Sequence, residues 1–370
     1  MTNDKSLRVL VVDDTIVYRK IVCDVLAELP GVEVVGVANN GKIAMSRIAS
    51  LKPDLLTLDI EMPEMNGIEV LEHIKTEAPD VGAIMLSTLT QEGGEMTIRA
   101  LQLGAFDFIP KPQGGTMEEN KKAVRNALSR LVKAFARRRE ISNILREQIS
   151  TTQPRGKDLL REQALGVQHI GAMRPKRTKS EVVAIGVSTG GPNALSRMLP
   201  KLPPDLGAPV LVVQHMPPIF TQSLAKSLNS KCAIEVAEAV DGQPLSNNVA
   251  LIAPGGKQMK VVAGADGKSR IVRITDDPPE NSCKPSADYL FRSVAHHFVG
   301  RATGVIMTGM GSDGTLGLKL MKRNGATVIA QDEATCVVYG MPKAVVDSGI
   351  ADVVVPLDRI SEEILKTVRN

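Results

Sequence analysis

Short apolar runs that end in polar residues, alternating with stretches of helical periodicity, constrain this sequence more than any other feature. Leu7–Val12, Glu33–Ala38, Asp54–Leu58, Gly82–Leu86 and Phe106–Ile109 form one series, with helix-period segments such as Ile16–Leu29 and Ile68–Thr76 between them. A second series runs through Val182–Val187, Pro209–Val213, Val249–Ala253, Gly304–Thr308 and Thr327–Ala330. Strands that alternate with helices bury themselves as a parallel sheet covered on both faces. The chain is therefore expected to be α/β twice over, with two doubly wound, mainly parallel-sheet domains. A length of 370 residues fits, since one domain usually takes ~100–150.

The two series are separated by a segment of different character. Between Lys121 and Ser180 sixteen Lys or Arg face four Asp or Glu, a local excess of +12. The whole chain carries only +4, so the rest sums to −8 and the basicity belongs to the connector. A basic helical stretch over Ala123–Leu145 leads into breaker-rich runs at Ser150–Gly156 and Arg174–Ser180. Residues 1–125, 126–180 and 181–370 are thus expected to be a first domain, a partly helical basic linker and a second domain. No Trp, three Tyr and six Phe leave little for base-stacking platforms, which argues against nucleic-acid binding. Four scattered cysteines, with no Cys-x-x-Cys, suggest reduced thiols rather than zinc or disulfide frameworks. No apolar run reaches the ~18 residues needed to span a bilayer, and Met1–Ser6 is too polar for a signal peptide, so a cytoplasmic protein is expected.

Ligands of open α/β sheets bind at the carboxyl ends of the strands. In the first series those ends carry Asp13, Asp14, Asp59, Ser87 and Lys111. Converging carboxylates repel one another unless a divalent cation joins them, and an all-oxygen set suits Mg2+. Asp59 could then attack a phosphoryl group whose oxygens Lys111 helps to hold, with Ser87 reading out the new phosphate. Each residue alone could be a turn former or a helix cap; the ordered set makes the stronger case. The runs Asp59–Gly67 and Phe108–Pro112 resemble the two-component response-regulator receiver family over roughly residues 6–125. The resemblance implies a flavodoxin-like fold and Asp59 as phosphoacceptor. It also implies Mg2+ on Asp14, Asp59 and the Glu61 carbonyl, with Asp13 assisting, and a switching aromatic at Phe108.

In the second series the first strand ends in Gly186-Val187-Ser188-Thr189-Gly190, the Gly-x-Ser-x-Gly spacing that lifts a serine onto a tight strand-to-helix turn. Pro192 suits the first turn of the following helix, whose N-terminus would face a developing oxyanion. Such a loop could also be a plain glycine turn or a phosphate cradle, but neither dinucleotide nor P-loop spacing is present. Of five histidines, His73 and His169 lie outside the second series, and His296 and His297 sit on a helical stretch. His215 directly follows Val210–Gln214 at a strand's carboxyl end, which selects it as the base. Asp313, in Thr308–Gly314 after another strand, is the candidate orienting carboxylate, with a helix cap as its bland alternative; the Met310 N–H could serve the oxyanion. The order Ser, His, Asp differs from that of α/β hydrolases, which disfavours their fold.

Ser188–Pro192, Gln214–Pro217, Ala253–Lys257, Pro285–Asp288, Thr308–Gly314 and Gly340–Pro342 resemble the chemotaxis protein-glutamate methylesterase/protein-glutamine glutaminase family. One departure is Gln258, where that family often has histidine. The resemblance implies a triad of Ser188, His215 and Asp313, with Thr189 and the Met310 backbone supporting the oxyanion and no cofactor for hydrolysis. It further implies methyl-accepting chemoreceptors as substrates and a chemotaxis histidine kinase as phosphodonor. A receiver–catalytic interface relieved by phosphorylation and recruitment to receptor arrays at the inner membrane are also expected. A receiver driving a DNA-binding output would need a basic helical C-terminal domain, whereas residues 181–370 are strand-rich. A triad alone specifies acyl chemistry, so the residues by themselves leave a small ester or another protein open as substrate.

Overall fold

The computed structural model of the chain describes residues 6–151, 168–169 and 178–369. Two compact units emerge, Met1–Ile149 and Ser150–Asn370.

In the first unit, β1 (Leu7–Val12), β2 (Val32–Ala38), β3 (Leu55–Asp59), β4 (Gly82–Ser87) and β5 (Asp107–Pro110) form one parallel sheet in the order β2-β1-β3-β4-β5. That order is the flavodoxin-like one, whose switch point lies between β1 and β3. Helices α1 (Ile16–Ala27), α2 (Gly41–Leu51), α3 (Gly67–Glu77), α4 (Gln91–Leu103) and α5 (Met117–Thr151) connect and cover the strands. The central strands are mainly apolar because both faces are covered: every residue of β3 is buried, Thr57 and Asp59 included, whereas the edge strand β2 is mostly half-buried. Asn66 opens α3 with a reciprocal cap, accepting from Ile68 and Glu69 N–H while Glu69 accepts from its own N–H.

Helix α5 runs well into the stretch assigned to the linker. Val124, Leu128, Leu131, Val132 and Phe135 are buried, and Phe135 meets Phe106 edge to face with centroids 5.3 Å apart. Arg139 pairs with Asp54 at 2.6 Å. By packing, this part of the basic stretch belongs to the first unit, its apolar residues forming the buried face of the helix and several of its charges pairing with the unit beside it. Linker residues 152–167 and 170–177 lie outside the described residues.

The second unit is built on an eight-stranded sheet. Its strands are β6 (Gln168–His169), β7 (Val182–Val187), β8 (Val210–Gln214), β9 (Glu235–Glu238), β10 (Val249–Ile252), β13 (Ala302–Ile306), β14 (Thr327–Gln331) and β15 (Val353–Val355). The order is β6-β15-β14-β13-β7-β8-β10-β9, parallel except where β6 meets β15. His169 thus falls in a short edge strand. Between β10 and β13, β11 (Gln258–Ala263) and β12 (Arg270–Thr275) form a separate antiparallel hairpin. The segment Gly264–Ser269 is its turn, with Asp266 Oδ1 accepting from Lys268 and Ser269 N–H.

Helices α6 (Gly191–Met198), α7 (Phe220–Asn229), α8 (Ala287–His297), α9 (Thr315–Arg323), α10 (Met341–Asp347) and α11 (Ile360–Arg369) complete the unit. All six residues of β7 are buried, each large apolar side chain contributing about 1.5–3 kcal/mol by leaving water. The chain leaves β7 toward β8 and β10, then returns to β13 on the other side. That reversal opens a crevice beyond the carboxyl ends of β7 and β13. No helix among the described residues is long and apolar enough to cross a membrane.

Candidate active site

Register sets the backbones of Ser188 and His215 at neighbouring strand ends, while the hydrogen bonds of the His215 ring go to Asp313 and Cys283. Val187 on β7 pairs with Gln214 on the adjacent strand β8, so the two residues that follow leave neighbouring strands at the same level. Parallel neighbours are about 4.8 Å apart. The His215 N–H continues the ladder to Val187 O at 3.2 Å, and the Ser188 N–H donates to Thr308 O at 3.0 Å. Gln214 reaches back across the turn, donating from Nε2 to Ser188 O at 3.0 Å. Ser188 O also accepts from Gly191 N–H at 2.7 Å, closing a tight turn in which Gly190 has φ 77° and ψ 0°. That is the third position of a type II turn, where a side chain would be strained. Ser188 itself is half-buried and Thr189 is buried.

Asp313 follows β13 and is buried beneath the imidazole. Its Oδ2 lies 2.8 Å from His215 Nε2 and accepts from Ala287 N–H at 2.6 Å. Oδ1 accepts from Ser286 Oγ at 2.8 Å, Asn281 Nδ2 at 3.1 Å and Asp288 N–H at 3.2 Å. Burial alone would raise this carboxyl; His215 and the Ala287 and Ser286 donors hold it down at about 2. On the imidazole, burial pulls downward, but the Asp313 bond and the nearby Cys283 outweigh it and push the pKa up to about 9. Nε2–H donated to a carboxylate leaves Nδ1 as the basic nitrogen; it lies 3.7 Å from Cys283 Sγ.

The loop Thr308–Gly314 runs close against the serine. Thr308 Oγ1 donates to Thr189 O at 2.9 Å and accepts from Val337 and Val338 N–H, while Gln331 Oε1 accepts from Thr308 N–H at 2.8 Å. Met310 sits in this loop one residue beyond Gly309, which packs against Ser188. His296 and His297 end α8, and His73 pairs with Glu77 in the first unit, so none of them joins the cluster.

Several members of the cluster escaped sequence reasoning. Asn281, Cys283, Ser286 and Asp288 arrive from the segment between β12 and α8, which carries no strand-end signature. Pro285-Ser286-Ala287-Asp288 was visible only as a family likeness, while the Ser-x-x-Tyr cap of α8 is the local reason for the turn there. Gln258 is fully buried on β11: its Nε2 donates to Pro278 O at 3.0 Å and its Oε1 accepts from Ser286 N–H at 2.9 Å. It therefore ties this segment to the hairpin. All four cysteines are free and half-buried.

A second cluster occupies the carboxyl edge of the first sheet. Lys111 Nζ lies 2.6 Å from Asp59 Oδ2 and 2.9 Å from Asp13 Oδ2, with all three residues buried. Carboxylate oxygens of Asp13, exposed Asp14 and Asp59 lie within 4.8 Å of one another. Burial pushes Asp59 up to about 6, Lys111 pulling against it and Asp13 adding to it; Asp13 is raised chiefly by burial as well. Lys111 is raised because Asp59 and Asp13 overcome its own desolvation. Three carboxylates crowded at one edge, two of them raised by burial, are a set that a hard divalent cation would relieve, so these residues fit Mg2+. Ser87 is buried at the end of β4, its Oγ 2.6 Å from Thr97 Oγ1. Glu61 is exposed in the loop after β3 and accepts from Thr88 Oγ1 at 3.1 Å; Phe108 is half-buried on β5 opposite Met85. Tyr18, not singled out from the sequence, places its ring 5.0 Å from Lys111 Nζ.

Comparison with known proteins gives the same division. The family described as CheB methylesterase matches residues 183–364, and the response regulator receiver domain matches residues 9–125. A protein-glutamate methylesterase/protein-glutamine glutaminase of Desulfotalea psychrophila is 57% identical over 366 residues, covering 99% of each chain. One of Bacillus subtilis is 43% identical over 367 residues, covering 98% of this chain and 99% of its own. The crystal structure of the Thermotoga maritima CheB methylesterase catalytic domain is 40% identical, covering 51% of this chain and 99% of that one, with a TM-score of 0.49.

Proposed function

This chain belongs to the protein-glutamate methylesterase family, and from that premise we propose that it is a phosphorylation-activated hydrolase of chemoreceptors. It removes methyl esters from receptor glutamates, releasing methanol, and deamidates receptor glutamines. The observation that carries the chemistry is the 2.8 Å bond between His215 Nε2 and Asp313 Oδ2, beside a serine on a Gly-x-Ser-x-Gly turn.

With Nε2–H committed to Asp313, His215 takes the Ser188 proton at Nδ1 as Ser188 Oγ attacks the glutamyl carbonyl. The oxyanion is met by Thr189 and the Met310 backbone. The imidazolium then returns its proton to the departing methoxide, or to ammonia in the amide reaction, and water attacks the acyl-serine by the same route. Asp313 stays ionised throughout, stabilising the imidazolium and fixing its tautomer.

Residues 1–125 form the receiver, with the α5 turns through Arg139 packed onto it, residues 181–370 form the catalytic domain, and the connector lies within 126–180. Asp59 accepts the phosphoryl group from a chemotaxis histidine kinase, Lys111 pairs with its oxygens, and Ser87 and Phe108 transmit the change. Bound Mg2+ would neutralise charge on the transferred group; Asp13, Asp14, Asp59 and the Glu61 carbonyl are the residues that would hold it. Phosphorylation relieves inhibition of the hydrolase by the receiver. The substrate places the protein in the cytoplasm, at receptor arrays of the inner membrane.

Receptor membranes carrying labelled methyl esters test the reading. Wild-type protein should release methanol, faster with a small-molecule phosphodonor, and Ser188→Ala should release none above background. Methanol release retained by Ser188→Ala would overturn it.

A further inference from the structure

Cys283 has no part in the acyl chemistry above, yet its Sγ stands 3.7 Å from His215 Nδ1, the nitrogen that Asp313 leaves open. Tetrahedral zinc binds thiolate at about 2.3 Å and imidazole nitrogen at about 2.0–2.1 Å, which sets the two ligand atoms about 3.6 Å apart. The sulfur and nitrogen already have that separation. Behind the ring, Asp313 accepts from His215 on the opposite nitrogen, the carboxylate–histidine arrangement that orients a metal-bound imidazole. The carboxylate itself is not a ligand: its two oxygens already accept from five donors. Cys283 and His215 are both only partly buried, the His215 side chain being 14% exposed.

We propose that Cys283 Sγ and His215 Nδ1 form a Zn2+ site whose occupation switches the hydrolase off. On binding, the thiol proton and, below the imidazole pKa, the proton on Nδ1 are lost to solvent. The thiolate and the Nδ1 lone pair fill two positions of the tetrahedron, and water fills the other two. The lone pair that would take the Ser188 proton is then engaged. One sulfur and one nitrogen donor select zinc over magnesium, so ions serving the receiver's carboxylates do not act here. The binding claim stands on the geometry of Cys283 and His215; the loss of activity rests on His215 being the base.

Full-length protein titrated with Co2+ as a spectroscopic stand-in should develop a thiolate-to-cobalt charge-transfer absorption. Ser188→Ala should keep that band, and Cys283→Ser should lose it although Cys23, Cys232 and Cys336 remain. In the methanol-release assay, Zn2+ should inhibit the wild type and a chelator should restore it. Measured against its own metal-free rate, Cys283→Ser should need at least about tenfold more Zn2+ for half inhibition, the size of effect that even an outer partner of a metal site carries. A wild type with no thiolate–cobalt band, or Cys283→Ser inhibited at the same Zn2+ concentration, would overturn the proposal. His215→Ala assayed without metal tests the base assignment on its own, so the two failures are distinguishable.

Discussion

Gly309 stands where any side chain would run into Ser188: a β-carbon built on it falls 2.7 Å from Ser188 Cβ and 3.1 Å from Ser188 N. The serine loop and the Thr308–Gly314 loop approach this closely because the Ser188 N–H donates to Thr308 O. The Ser188 backbone is thereby held against that loop by a main-chain bond rather than by flexible side chains.

Gly309→Ala is therefore expected to push the two loops apart and misplace the nucleophile. Methanol release should fall on the order of 10²-fold, as small displacements at reacting centres do. Unfolding in urea should show a loss of only about 1–3 kcal/mol, the usual result of overpacking. A fully active variant would show that the serine loop does not depend on this approach.

Asp313→Asn should lower kcat by about 10⁴-fold, because the imidazole loses both its anionic partner and its enforced tautomer. The same change should lower the His215 pKa, readable by NMR titration of the ring.

The pH profile follows from the raised imidazole. A base must be neutral to accept a proton, so kcat/KM should climb as pH rises through the His215 pKa, with its midpoint above 6.5 and toward about 9. Removing the Cys283 thiol, whose proximity contributes to the rise, should move the midpoint to lower pH. A profile flat from pH 6 to 9 would count against His215 as the base.

In the receiver, Lys111→Met would leave Asp13 and Asp59 buried without their cation. Stability in the presence of a chelator should drop by about 3 kcal/mol, the scale for removing one partner of a buried pair. Added Mg2+ should restore part of it. Asp59→Asn, by contrast, should leave basal methanol release in place but unresponsive to phosphodonor.

Gln258→Ala should loosen the segment that delivers Asn281, Cys283 and Ser286. Losing Gln258 leaves the buried Ser286 N–H unpaired, costing about 1–3 kcal/mol, while the exposed Pro278 O can turn to water. Thermal unfolding measures the loss directly.

Strand ends were the legible part of both clusters. Ser188, His215, Asp313, Asp13, Asp59 and Lys111 each follow an apolar run, and parallel strands force the residues after such runs onto one edge. Asn281, Cys283 and Ser286 had no comparable signal, because irregular backbone carries no period: Asn281 and Ser282 have φ of 51° and 62°, conformations no pattern of side chains announces. Gln258 was noticed for what it replaces, while its task depended on a hairpin hidden between two longer elements. The extent of α5 was written in the spacing of Val124, Leu128, Leu131, Val132 and Phe135, but a heavy overlay of charge made that stretch read as connector.

The Asp313 carboxylate closes the start of α8 with the same two oxygens that aim the base. Held at about 2, against an ordinary value of 3.8, it lends the fold stability that is complete above pH 4 and fades only as acidity approaches the lower figure. Lowering the pH below the His215 pKa is therefore expected to silence the enzyme by filling the imidazole with a proton and not by loosening what anchors it. Raising the pH through that pKa again should bring turnover back at once, with nothing to refold.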